Sequence, residues 1–121
     1  MADTLYLKLR SNCLHLSHLE SGGSLELEAS PAFSNPRLLV ADFSAASALL
    51  KQAIAQLLPK RFMRLSMPPK LLIQPLDHLE GGLSPVEERI LLELGHGCGA
   101  RTVRLHVGTE LDASSVHQKL A

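Results

Sequence analysis

Residues 5 to 10, LYLKLR, set Leu5, Leu7 and Leu9 on one side of the chain and Tyr6, Lys8 and Arg10 on the other. That period of two is the mark of a β-strand. After the short turn RSN, CLHLSHLE alternates again, with Leu14 and Leu16 opposite Cys13, His15 and Ser17. The glycine turn ESGGS leads to LELEA, where Leu25, Leu27 and Ala29 oppose Glu26 and Glu28. Paired glycines between alternating runs are a hairpin signal, so the spacing predicts an antiparallel meander with strands near 5–10, 12–19 and 24–30.

After the connection SPAFSNPRLLVAD the period changes. Ala46, Leu49, Leu50, Ala53, Ile54 and Leu57 form one stripe at helical spacing, with Asp42 or Ser44 as cap and Pro59 beyond the end. KLLIQ, residues 70–74, is a short apolar run after Pro68 and Pro69, the pattern of a buried strand. A loop, PLDHLEGGL, precedes SPVEERILLELGHGCG. There Ser84 and Glu87 make a capping box, Pro85 suits the first turn, and Ile90, Leu91 and Leu94 form the apolar side. Among Gly95, Gly97 and Gly99, one ends the helix in a left-handed conformation. TVRLHV predicts a strand over 102–107, with Val103, Leu105 and Val107 inward, and DASSVHQKLA has room for one short helix.

The element order is β-β-β-α-β-α-β with that final helix. Three antiparallel strands followed by right-handed βα crossovers give an α/β fold, a mixed sheet with helices on its faces. The order resembles the ribonuclease-H-like fold, which actin-type ATPases use twice, although a fold alone assigns no function.

Composition narrows the classes of function. The chain has 121 residues, enough for one domain over 1–121 with a single core. Twelve basic residues balance twelve acidic ones and aromatics are 3%. That leaves neither a global field nor a stacking platform for nucleic acid. No segment reaches transmembrane length and MADTLYLKLR is no secretory leader, so no membrane insertion and a cytoplasmic setting are expected. Cys13 and Cys98 are expected as buried, reduced thiols.

From Leu39 to Val107 the sequence resembles the rod-shape-determining bacterial actins, the MreB family. The matching residues are Ala41, Asp42 and Phe43 of an "ADF" helix entry, Val86, Glu87 and Arg89 of a "VERR" helix, and Gly97, Gly99, Ala100, Arg101 and Val103 of a "GAGAREV" turn. A proline-led apolar strand falls between the first two. The resemblance implies one reduced, degenerate actin-like subdomain. It does not imply a working ATPase, because an Asp-x-Gly-Thr phosphate turn is needed between strands one and two. The acid there holds the metal and the glycine lets amides approach phosphate. KLRSNC stands in that place, with Lys8, Arg10 and Ser11 and neither the acid nor the glycine. The family's inserted lobe is reduced to SPAFSNP, and no second half with its nucleotide pocket follows. No binding of ATP and no cofactor are therefore expected.

Other chemistries lack their residues. His15 and His18 lie on opposite faces of a strand, and His96 with Cys98 is a local pair with no second pair beside it, so no metal site is expected. Histidines are expected on the surface. A ribonuclease-H-like nuclease needs a carboxylate within the first strand; LYLKLR carries none, Asp3 precedes it, and Asp42 and Asp77 read as a cap and a loop acid. No G-x-S-x-G elbow appears, and GHGCG follows a helix instead of opening one. The basic run PKRFMR, 59–64, reads as a solvated helix end. No catalytic residue is thus assigned.

Protein contact is the function class that remains, through a cytoskeletal or envelope-machine partner or through self-association; a small enzyme with an unrecognised site is the alternative. Phe62, Met63, Leu65 and Met67, the KLLIQ strand as a sheet edge and the helix over 44–58 are the expected contact surfaces, since methionines suit adaptable interfaces. Leu91 and Leu105 are expected in the core.

Overall fold

A computed structural model describes residues 3–58 and 68–121. The elements are β1 (Thr4–Arg10), β2 (Cys13–His18), β3 (Gly23–Glu28), α1 (Phe43–Leu57), β4 (Lys70–Pro75), α2 (Pro85–Gly97), β5 (Thr102–Leu105) and α3 (Ala113–Leu120). The strands form one mixed sheet in the order β3-β2-β1-β4-β5. β2 is antiparallel to both its neighbours, and β1, β4 and β5 run parallel. The chain is α/β, as its patterning predicts.

Period-two alternation decides which residues meet which layer. Leu5, Leu7, Leu9, Leu14, Leu16, Leu71, Ile73 and Val103 face α1 and α2 and make the main core with Ala46, Leu50, Ile54, Leu91 and Leu94. The opposite parity, Tyr6 and Leu72, packs beneath Val116 and Leu120 of α3. β1 and β4 are therefore covered on both faces where α3 lies. Towards β2 and β3 that second face is polar, with Lys8, His15 and Glu26.

Caps fix the helix starts. Asp42 accepts from the Ala45 amide at 3.0 Å. Ser84 accepts from Glu87 N at 3.2 Å while Glu87 accepts from Ser84 N at 3.0 Å, completing the capping box. Each bond satisfies a donor that the first turn otherwise leaves unpaired. At the far end of α2, Gly99 takes φ +94°, and its N–H and that of Ala100 return to His96 and Gly95 carbonyls. Gly99 is thus the terminating glycine.

Gly95 has another task. A Cβ built there would lie 2.7 and 2.8 Å from the Val103 methyls and 3.2 Å from Leu71 Cδ2. The residue reads in sequence as an erosion of helix propensity, but it is what lets α2 approach β4 and β5.

Several expectations need correction. KLLIQ is not a sheet edge: β4 sits between β1 and β5, and Leu71, Leu72 and Ile73 are fully buried. The edges are β3 and β5. β5 stops at Leu105, and Val107 is 51% exposed because the chain turns through Gly108 toward α3. Leu105 is only half-buried, as an edge position would be. Neither cysteine is fully buried, although both are free thiols.

The connection after β3 is pinned more firmly than its proline, serine and asparagine content predicts. Phe33 is fully buried. Asn12, at φ +56° in the β1–β2 turn, accepts from Phe33 N at 2.9 Å and Ser34 N at 2.8 Å. A left-handed turn position suits asparagine, and here its amide oxygen also anchors a remote segment.

Candidate functional site

The two ends of the β1–β2 pair carry different polar clusters. At the turn joining the strands, where an actin-type phosphate loop would lie, Ser11 N donates to Asp77 Oδ2 at 2.6 Å. Ser11 Oγ lies 3.1 Å from His78 Nε2, and Asn12 N donates to Ser34 Oγ at 3.0 Å. The turn amides are therefore engaged by the protein's own groups. Asp77, a loop acid in the sequence, acts here as an internal anion.

Lys8 and Arg10 lie on the polar face beside that turn, around a shallow hollow with Cys13, His15, Glu26 and Leu76. Lys8 Nζ is already committed to Glu110 Oε1 at 2.7 Å and sits 5.6 Å from the Tyr6 ring centre. The Lys8 ammonium holds the exposed Glu110 carboxyl below its ordinary range. Tyr6 donates to Gln74 and accepts from Leu111 N at 3.1 Å, while Gln74 donates to Gly108 O at 2.8 Å. This pair anchors the segment entering α3 and leaves the fully buried Gln74 satisfied.

At the other end, Asp3, just before β1, meets His18 at the end of β2: Asp3 Oδ1 is 2.8 Å from His18 Nε2. Glu20 Oε1 lies 3.4 Å from the same nitrogen and accepts from Thr4 N at 2.8 Å. On its far side His18 Nδ1 is 2.7 Å from Ser21 Oγ, which also accepts from Gly23 N at 3.1 Å. Partial burial would push the Glu20 carboxyl up, but the hydrogen bonds to Thr4, helped by His18, hold it below its ordinary value.

Sequence reasoning places His18 on the surface and leaves Asp3 outside the first strand; the structure buries both. The missed signal is parity. His18 shares the inward register of Leu14 and Leu16, and the antiparallel pairing Leu5↔His18 carries it to the start of β1. His15 does fall on the opposite face, as expected, and its Nδ1 is buried with no hydrogen-bond partner among the described residues.

Among the described residues, the histidine, cysteine and carboxylate groups whose ligand atoms gather within 4.8 Å are Asp3, His18 and Glu20. His96 instead has its Nδ1 3.4 Å from Ala100 O. Asp42 is the helix cap that its position predicts. The expected contact residues Phe62, Met63, Leu65 and Met67, and the basic run over 59–64, lie outside the described residues. An apolar cleft is lined by Leu38, Leu39, Val40, Leu83, Ile90 and Leu91, with Leu38 exposed at its rim. No described helix is long and apolar enough to cross a membrane.

No protein-family model matches the sequence. The chain is similar to an Escherichia coli (strain K12) protein described as "Uncharacterized protein YjaA", with 40% identity over 98 residues, covering 78% of this chain and 76% of the other. With that identity across most of both sequences, the chain belongs to the YjaA family.

Proposed function

We propose that this protein is a non-catalytic, actin-like module that acts in the cytoplasm through protein contact, in cell-shape or envelope assembly. Two features support a reduced ribonuclease-H-like domain of the MreB kind. One is the sheet order β3-β2-β1-β4-β5, with a meander followed by parallel crossovers. The other is the series of matching residues from Ala41 to Val103.

The observation that carries the non-catalytic reading is the Asp77 carboxylate, 2.6 Å from Ser11 N. A phosphate turn must leave its amides pointing at the ligand. Here the amide is given to an internal carboxylate, and a second anion in that place would meet repulsion. The neighbouring acid-and-glycine pair is absent as well.

The contact surface in this reading is the segment from Phe62 to Met67 with the adjoining end of α1, and the partner is a cytoskeletal or envelope-machine protein or a second copy. Light scattering and cross-linking of wild type against Met63→Glu and Leu65→Glu test it. Association that both substitutions weaken is the expected result. A wild type that stays monomeric at high concentration and captures no cytoskeletal or envelope protein would refute it.

A further inference from the structure

The cluster at the start of β1 has the donor set of a cation site. We infer that Asp3 Oδ1, His18 Nε2 and Glu20 Oε1 together bind one divalent transition-metal ion of the zinc class. The three residues come from two stretches of chain, Asp3 before β1 and His18 with Glu20 at the end of β2, and one ligand atom from each lies within 4.8 Å of the others.

Distances allow an ion between them. Donors about 2.0–2.2 Å from a tetrahedral zinc stand roughly 3.3 Å from each other. His18 Nε2 and Glu20 Oε1 are already 3.4 Å apart. Asp3 Oδ1, at 2.8 Å from His18 Nε2, has only to back away by about half an ångström to reach the same spacing.

The surrounding bonds favour this use of His18. Its Nδ1 is held by Ser21 Oγ at 2.7 Å, which orients the ring and turns Nε2 toward both carboxylates. A metal-binding imidazole is typically fixed through its other nitrogen in this way. Glu20 is held in turn by Thr4 N at 2.8 Å.

Access and selectivity follow from the same residues. The Asp3 and His18 side chains are only 4% and 7% exposed, whereas Glu20 is 29% exposed, so an ion would enter past Glu20. The solvent side is then left for a fourth ligand. One imidazole nitrogen among carboxylates suits zinc better than magnesium, which prefers oxygen donors and retains its water. The site lies at the opposite end of β1 from the Ser11 turn. It would clamp the stretch before β1 to the β2–β3 hairpin, so that binding also stabilises the fold.

Isothermal titration of the untagged, chelator-treated full chain with zinc chloride tests this, with circular dichroism to confirm that each variant is folded. One zinc per chain is expected, together with a melting temperature that rises with zinc. Glu20→Gln, at the most exposed of the three positions, should weaken binding at least tenfold. His18→Gln should abolish it, and His96→Gln should leave it unchanged. With cobalt in place of zinc, wild type should show visible absorption that Glu20→Gln alters. If His18→Gln fails to fold, Glu20→Gln and the cobalt spectrum decide. Absence of zinc binding, affinity unchanged in folded Glu20→Gln, loss in His96→Gln, or magnesium binding as tight as zinc would each overturn the inference.

Discussion

Cys98, at the C-cap of α2, shows how one residue's surroundings set its chemistry. Burial pushes its thiol up to about 11, against the opposing pull of Lys51 and the Ser47 hydroxyl. The folded value exceeds the ordinary 9.0, so the fold favours the neutral thiol. That contribution is fully present below pH 9 and is lost as pH rises toward about 11. Since the thiolate is the reactive form, iodoacetamide at pH 8 should label Cys98 in the native protein at least tenfold more slowly than in urea. Mass spectrometry of the labelled peptide measures this; equal rates would show an open, unperturbed thiol. The sequence gives reason to expect Cys98 as a buried, reduced thiol, but its reactivity and its partners Lys51 and Ser47 are not legible there, because α1 and α2 meet only in the fold.

At the scale of elements, close approach between α2 and the sheet is the most demanding contact. Gly95→Ala should raise local helix propensity yet destabilise the protein by about 1–3 kcal/mol, because the new methyl has no room against Val103. Urea denaturation would register that loss, and a stabilised variant would mean that α2 can move away freely. Leu91→Asp and Leu105→Asp are graded in the same way. Leu91 is 3% exposed, so an aspartate there puts an unpaired carboxylate into the core and should cost roughly 4 kcal/mol or more. Leu105 lies half-buried on the edge strand, where a carboxylate can turn to water. Leu105→Asp should therefore melt at a distinctly higher temperature than Leu91→Asp. Equal losses would place Leu105 in the core after all.

For the whole molecule, the closed β1–β2 turn leads to a prediction about ligands. Calorimetry with ATP and magnesium should show no measurable heat, since Ser11 N is engaged by Asp77 and no acid-and-glycine pair stands beside it. Asp77→Gly should loosen the turn without creating nucleotide affinity, because the missing residues are not restored. Micromolar binding by wild type would contradict the non-catalytic proposal and leave the zinc site at the other end of the sheet untouched.

Local patterning determined the elements. Alternation set β1, β2 and β3, the leucine stripe set α1, and Ser84 with Glu87 set the start of α2, because backbone period and capping act over a few residues. Order along the chain also determined the α/β class. Tertiary structure decided the rest, since side chains far apart in sequence meet only when strands pair. It moved KLLIQ from an expected edge to the sheet interior, between β1 and β5, because β5 returns beyond it in parallel. It buried Phe33 by giving its amide to Asn12, and it gave Gly95 a packing role through Val103. It also carried Asp3 across to His18, fifteen positions away, through the antiparallel register of β1 and β2. No local pattern encodes that meeting, because it depends on which strand ends the pairing brings together.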